Sequence, residues 1–234
     1  MEQLRRDLRE LVNEEKAKVM QRFFKTGFGQ YGECDVFLGL TVPQQRKIAQ
    51  EASKRVCIAE IGILLGSEIH EERLVALLIL VDKFRKGSGE LRDLVYNFYL
   101  ENTSRVNNWD LVDLTAPKIV GEYLLERNNR DVLFRLALSE NLWERRIAIV
   151  STYSFIRARQ FDDTLKISKM LLEDSHDLIH KAVGWMLREI GKRDEKVLED
   201  FLIDNYPHLP RTTLRYAIER FEEGKRLRFL RGEL

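Results

Sequence analysis

The side chains of this sequence best suited to chemistry are one carboxylate, one guanidinium and two indoles: Asp113, Arg146, Trp109 and Trp185. Asp113 lies in the segment NNWDLVDLTAP, beyond the first turn of a predicted helix and on the same face as Trp109. A fixed carboxylate in apolar surroundings can stabilise positive charge that develops during a reaction. Two simpler interpretations stay open, namely that Asp113 is a structural ion-pair partner and that Trp109 only packs.

Arg146 lies in the segment LWERRIAIVSTYSF, which is apolar nearly all round. A charge in such a helix is costly unless it is paired or faces a charged ligand. We therefore expect Arg146 either to form a buried salt bridge with Asp113 or to contact a phosphate. The two interpretations are compatible, because one guanidinium can hold a carboxylate and also reach an anion.

Trp185 lies in a basic stripe with Lys181, Arg188 and Lys192, opposite the apolar stripe of the same predicted helix. An aromatic ring flanked by cations suits a nucleic-acid backbone with a sugar or base edge beside it. The alternative is that Trp185 packs against a neighbouring repeat. Arg46 is a further candidate for a phosphate contact.

Helical periodicity dominates the elements that must position these residues. The predicted helices are Leu4–Lys25, Val42–Ser53, Glu71–Phe84, Glu90–Tyr99, Trp109–Leu125, Asp131–Leu138, Leu142–Arg157, Asp162–Leu172, Leu178–Ile190, Lys196–Phe201 and Thr212–Phe221. Similar helix starts recur every 36 residues, at Arg73, Trp109, Arg145 and Lys181. A period of this size with two helices per unit predicts an all-α helical-repeat solenoid, here as one domain over residues 1–234. Equivalent helices stack side by side, so the four candidate residues are expected to converge on one surface.

Composition limits the class of protein. Hydrophobic residues make up 44% and charged residues 33% of the chain, and the net charge is only +1, so a nucleic-acid site must come from local clustering of cations. The two cysteines, Cys34 and Cys57, form no disulfide framework, and the amino-terminal segment does not resemble a signal peptide. We expect a cytoplasmic protein that needs no membrane and no obligatory protein partner and that can act as a monomer.

Three other patterns are interpreted as not functional. Gly27, Gly29 and Gly32 match a nucleotide-binding spacing but follow a helix rather than a strand, so a mobile loop is expected. His176 and His180 are four residues apart without a nearby third ligand, so no metal site is expected. The pair at 71–72, Glu71 and Glu72, is expected to be a solvated helix start.

At these residues the sequence resembles the AlkD-type DNA alkylation-repair family. The resemblance covers most of the chain in order, in the segments RFFKTGFGQYGECDVFLGLTVPQQRKIA, HEERLVALLILV, NNWDLVDLTAP, LWERRIAIVSTYSFIR and KAVGWMLREIGKRD. It implies a HEAT-like solenoid that holds duplex DNA in a basic concave groove. It also implies excision of positively charged N3- and N7-alkylated purines without a metal or other cofactor.

By position, the resemblance makes Asp113 the catalytic acid, Trp109 and Trp185 active-site tryptophans and Arg146 the active-site arginine. Phe23 stands where better-known members have an active-site tyrosine, so the aromatic face is kept and the hydroxyl is lost. The expected function is a monofunctional DNA glycosylase of base-excision repair. A non-catalytic DNA-binding paralogue and a HEAT-type protein-interaction scaffold are the alternatives.

Overall fold

The computed structural model describes residues 2–233. The regular elements of these residues are helices, with no strand among them. Val36 and Ile69 form an isolated parallel bridge. The described chain divides into two compact units between Thr115 and Ala116. The organisation of the whole chain as one domain stays a prediction.

The first unit is built from seven helices and a short 3₁₀ turn at Thr103–Arg105. The helices are α1 (Glu2–Arg9), α2 (Glu14–Phe23), α3 (Val42–Ala52), α4 (Ile58–Leu65), α5 (His70–Lys86), α6 (Gly89–Glu101) and α7 (Trp109–Ala116), of which the last residue already belongs to the second unit. Helix α5 is the centre of this unit and packs against α3, α4 and α6. Its residues from His70 to Leu80 are all buried, as expected of a helix that is apolar on every side beyond its first turn.

The acidic start of α5 is not solvated, so that prediction was wrong. Glu71 is fully buried, and its carboxylate accepts hydrogen bonds from the backbone nitrogens of residues 38–40 at 2.8–3.2 Å. Glu72 is also buried and forms an ion pair with Arg5 at 3.1 Å. The Glu71 carboxylate replaces backbone acceptors that the loop before α3 does not have, because buried N–H groups need an acceptor.

The predicted helix from Leu4 to Lys25 is divided in two. Asn13 caps α2 by accepting a hydrogen bond from Lys16 N at 3.0 Å, and its own N–H donates to the Leu38 carbonyl at 2.9 Å. Gly39 lies against this cap with a φ of 87°, and a Cβ there would be 2.2 Å from the Asn13 carbonyl oxygen. The break is therefore fixed by a loop that is distant in sequence.

The second unit begins with a π-helical turn, Pro117–Gly121, which continues α7 where Pro117 lacks the N–H that an α-helix needs. A short 3₁₀ turn covers Tyr206–His208. The helices are α8 (Glu122–Leu124), α9 (Asp131–Ala137), α10 (Leu142–Ser151), α11 (Tyr153–Arg157), α12 (Asp162–Met170), α13 (Asp177–Gly191), α14 (Glu195–Asn205), α15 (Arg211–Ala217) and α16 (Glu223–Arg231).

Helix α13 is the centre of the second unit and packs against α10, α14 and α15. Its predicted apolar stripe is buried as expected, with Ile179, Ala182, Val183, Met186 and Ile190 all inaccessible to solvent. The contact with α15 is close, since a Cβ on Gly184 would be 2.5 Å from the Tyr216 Cβ.

The sequence repeat is visible as a repeated set of hydrogen bonds. Arg73 donates to the Ser67 carbonyl at 2.9 Å, and Arg145 donates to the Ser139 carbonyl at the same distance. Each serine hydroxyl also accepts from the backbone nitrogen two residues later. The same device thus fixes the start of α5 and of α10, which confirms that these helices are equivalent members of a repeat.

Candidate functional site

The first part of the candidate site is the outward face of α7. Trp109 is the first residue of this helix and Asp113 lies one turn later, so the two side chains share a face. Both are partly exposed, whereas Leu111, Val112 and Thr115 are completely buried. The helix therefore packs one face into the first unit and presents the indole and the carboxylate on the other.

Two phenylalanines from the end of α2 surround the indole of Trp109. The Phe24 ring is stacked on it, with ring centroids 4.9 Å apart and an interplanar angle of 5°. The Phe23 ring meets it edge-on at 5.8 Å and remains 64% exposed. Two candidate residues, Phe23 and Trp109, are therefore in contact. The sequence analysis did not identify Phe24, because the sequence of two adjacent aromatic residues does not indicate which of them is buried.

A buried tyrosine lies behind Asp113. Thr115 donates its hydroxyl proton to the Leu111 carbonyl, and the Tyr99 hydroxyl donates to Thr115 Oγ1 at 3.1 Å. Burial raises the pKa of Tyr99, and the Asp113 carboxylate raises it further. Tyr99 therefore stays neutral and supports α7 from the core side.

A buried network of charged side chains holds the start of α7, and the sequence analysis did not identify it. His70, the first residue of α5, places its Nδ1 3.1 Å from Asp35 Oδ2 and its Nε2 2.9 Å from Asp110 Oδ2. Arg73 binds the other oxygen of Asp35 at 2.6 Å, and Asn108 donates to Asp35 at 3.0 Å. No local pattern could have revealed it, because its members come from three distant segments.

The charges of this network shift the pKa values of its members. For Asp35, burial alone would raise the pKa, but the hydrogen bond from His70 and the charge of Arg73 hold it below the usual value. For His70, burial alone would lower the pKa, but the charge of Asp110 and the hydrogen bonds to Asp110 and Asp35 raise it to about 9. His70 is therefore a cation at neutral pH.

Arg146 and Trp185 belong to the second unit. Arg146 is buried on α10, as its apolar helix predicted, and its Nη1 donates to the Leu178 carbonyl in the first turn of α13 at 2.5 Å. Trp185, further along α13, is partly exposed, and its ring lies 6.2 Å from that of Tyr153. Arg146 thus anchors the helix that carries Trp185.

The basic stripe of α13 is at the surface, but its cations are already paired. Lys181 lies 2.7 Å from Asp177, Arg188 contacts Glu219, and Lys192 lies 2.5 Å from Glu189. The sequence analysis did not anticipate these pairs. Arg46 is exposed on α3.

The structure thus brings Phe23 and Trp109 into contact, puts Asp113 on the same helix face, and ties Arg146 to the helix of Trp185. Trp109 and Asp113 lie in one unit, and Arg146 and Trp185 in the other. Convergence of all four on one surface stays a prediction, as does an ion pair between Asp113 and Arg146.

The patterns interpreted as not functional have local structural explanations. The segment 27–32 forms turns, with Gly29 at a φ of 71°. His176 caps α13 by accepting from Leu178 N, and His180 contacts the Asp174 carbonyl. Over residues 2–233, no cluster of three potential ligands could hold a metal ion, and no helix is long and apolar enough to cross a bilayer.

The sequence as a whole matches a known family of DNA-repair proteins. The sequence model of the family described as "DNA alkylation repair enzyme" matches residues 4–221. The chain therefore belongs to this family.

A solved structure supports the same fold. "Predicted DNA alkylation repair enzyme from Enterococcus faecalis" is 19% identical in sequence and superimposes with a TM-score of 0.70, over 91% of this chain and 97% of that one. At this identity the likeness shows the fold, which confirms the predicted all-α helical-repeat solenoid. No curated protein matches the sequence.

Proposed function

We propose that this protein is a monofunctional DNA glycosylase that releases positively charged N3- and N7-alkylated purines from duplex DNA. Membership of the repair family supports a DNA substrate. The observation that carries the proposal is the position of Trp109 and Asp113 side by side on the outward face of α7, partly open to solvent. A carboxylate placed only for stability would not need an indole beside it at the surface.

The reaction breaks the bond between the sugar C1′ and the purine nitrogen, and the electron pair leaves with the base. Alkylation has already given the base a positive charge, so the base departs as a neutral molecule without needing a proton. Positive charge then develops on the deoxyribose, and the carboxylate of Asp113 stabilises it. Water adds to C1′ and loses one proton to solvent, and we propose that Asp113 also orients that water.

The aromatic groups contribute by their faces and edges. A cationic base or sugar is attracted to an indole face, which is the role proposed for Trp109 and Trp185. Phe23 supplies an aromatic edge without a hydroxyl, so no step depends on a hydrogen bond from this position. Arg146 is proposed to orient the site and to contact the DNA backbone.

Release of 7-methylguanine from a duplex oligonucleotide tests the proposal. We expect wild-type protein to release free base, and Asp113→Asn to lower the single-turnover rate by about 10²-fold or more, since one lost electrostatic stabiliser typically costs this much. The matched control is Asp200→Asn, which removes an exposed carboxylate paired with Lys196 and should leave the rate unchanged. Equal release by wild type and Asp113→Asn would contradict the assigned role of Asp113.

DNA affinity measured against salt concentration separates the alternatives. A groove that contacts several phosphates loses affinity steeply as salt rises, because counterions are released on binding. Steep dependence without release of 7-methylguanine or 3-methyladenine would indicate a non-catalytic DNA-binding paralogue. Absence of measurable affinity at low salt would instead favour a protein-interaction scaffold.

A further inference from the structure

The buried network at the start of α7 joins three segments of the first unit. Asp35 comes from the loop after α2, His70 and Arg73 from the start of α5, and Asn108 and Asp110 from the start of α7. All five side chains are buried. Replacing such a cluster by apolar packing of the same volume is often neutral or stabilising, so its presence is weak evidence for a role in stability alone.

The geometry fixes the protonation of the network. Each ring nitrogen of His70 faces a carboxylate oxygen, at 3.1 and 2.9 Å, and a carboxylate can only accept. Both nitrogens must therefore donate, which requires the imidazolium form. Two carboxylates then balance the charges of His70 and Arg73, so the buried cluster is neutral as a whole.

The network fixes the residues immediately before and after Trp109 in the sequence. Asn108 Oδ1 accepts from the backbone nitrogen of Trp109 at 2.8 Å, while its amide nitrogen donates to Asp35. The residue after Trp109 is Asp110, which binds His70 and also accepts from Leu111 N at 2.9 Å. The backbone of Trp109 thus has little freedom to rotate.

The rings form a second connection between the same groups. The Phe37 ring is stacked on the imidazole of His70, with ring centroids 4.5 Å apart. The centroid of the Phe24 ring lies 5.1 Å from that of the same imidazole. Phe24 is in turn stacked on the indole of Trp109 at 4.9 Å. A change at His70 is therefore transmitted to Trp109 through backbone anchors and through ring packing.

We infer that His70, through Asp110 and Asp35, is a positioning residue that fixes the indole of Trp109 and, one turn later, the carboxylate of Asp113. The inference rests on the proposed function for its catalytic consequence, because only a reaction at these two side chains requires such precision. It does not require His70 to touch DNA.

The test uses His70→Gln and Asp110→Asn in the full chain, with Asp82→Asn as a matched control. Asp82 is also a buried carboxylate of the first unit, held by Ser53, Arg85 and Lys86 at 2.6–2.8 Å, but it lies towards the other end of α5. Asp110→Asn keeps the size of the side chain and replaces His70→Gln if that variant does not fold.

The first measurement is the indole N–H signal of Trp109 in ¹H–¹⁵N NMR spectra, assigned by its loss in Trp109→Phe. We expect this signal to shift or broaden in His70→Gln and Asp110→Asn and to stay in place in Asp82→Asn. A general loss of stability would not produce this difference, since the control variant also loses a buried charge.

The second measurement is the single-turnover rate of base release beside the Kd for damaged DNA, well below the melting temperature of each variant. Displacing a catalytic group by about 1 Å can cost 10²-fold, so we expect the rate to fall at least about tenfold while Kd changes about twofold or less. Asp82→Asn should keep both values.

The two measurements separate the inference from the proposed function. An unchanged Trp109 signal in both test variants overturns the inference, whatever the activity. Absence of base release by wild type overturns the proposed function, and the NMR signal then still decides whether the network positions Trp109. A shifted signal with an unchanged rate would show that the network holds Trp109 but not for catalysis, which also overturns the inference.

Discussion

The charge on His70 predicts that this protein loses stability between neutral and alkaline pH. Its pKa is raised from 6.5 in the unfolded chain to about 9 in the fold. Burial and the charge of Arg73 lower this pKa, but the carboxylates of Asp110 and Asp35, which face the two ring nitrogens, raise it by more. A group with a raised pKa stabilises the fold fully below its unfolded pKa, and that stabilisation disappears as pH rises through the folded pKa. The loss should therefore fall between about pH 6.5 and pH 9.

The size of the effect follows from the shift. One pKa unit corresponds to about 1.4 kcal/mol, so the shift of His70 is worth about 3 kcal/mol of unfolding free energy. This is a large share of the total stability of a typical domain, about 5–15 kcal/mol.

Urea unfolding at a series of pH values from 6 to 9.5 measures the effect, with His70→Gln as the reference. The wild-type free energy of unfolding should fall by about 3 kcal/mol more than that of the variant over this range. Parallel curves for the two proteins would refute the reasoning, because they would show that His70 is not charged in the folded chain.

Two further predictions concern the packing that supports the site. Gly184→Ala should destabilise the second unit by about 1–3 kcal/mol in denaturant unfolding, since its Cβ would meet the Tyr216 Cβ at 2.5 Å. Gly89→Ala should not destabilise, because apart from its adjacent residues and the backbone of its own helix nothing lies within 4 Å of the new Cβ. Equal midpoints for the two variants would contradict this. Glu71→Gln should lower the free energy of unfolding by about 2–4 kcal/mol, because the backbone nitrogens of residues 38–40 lose a charged acceptor. A decrease below about 0.5 kcal/mol would show that these nitrogens find other hydrogen-bond partners.

The repeat and its long helices could be predicted because they depend on local patterns. The apolar stripe of α13 is buried at each predicted position, and the equivalent helix starts of α5 and α10 carry the same hydrogen bonds. Two short helices were not predicted. Helix α4 is apolar on most sides and α16 carries many charges, so neither shows a clear helical period over its eight or nine residues.

Much of the candidate site's support could not be predicted, because it depends on contacts between distant segments. Asp35, His70 and Asp110 are ordinary polar residues when each is considered with its neighbours in sequence. The interpretation of Glu71 failed for the same reason, since an acidic first turn is common at solvated helix starts and the loop that it binds is more than thirty residues away. Residue type and spacing predicted which groups could react, and that prediction is untested; they did not indicate the buried residues that hold these groups.

The pairing of the α13 cations changes what should be expected of DNA binding. Each cation of this stripe has a carboxylate partner within the second unit. A phosphate must compete with that carboxylate for the cation, so each contact contributes less affinity than an unpaired lysine or arginine would. If the proposed DNA contacts form, the carboxylates would repel a phosphate backbone that is out of register, so the stripe would favour selection of a position on DNA over tight binding. Weak electrostatic attraction to DNA is also expected of a chain whose net charge is only +1.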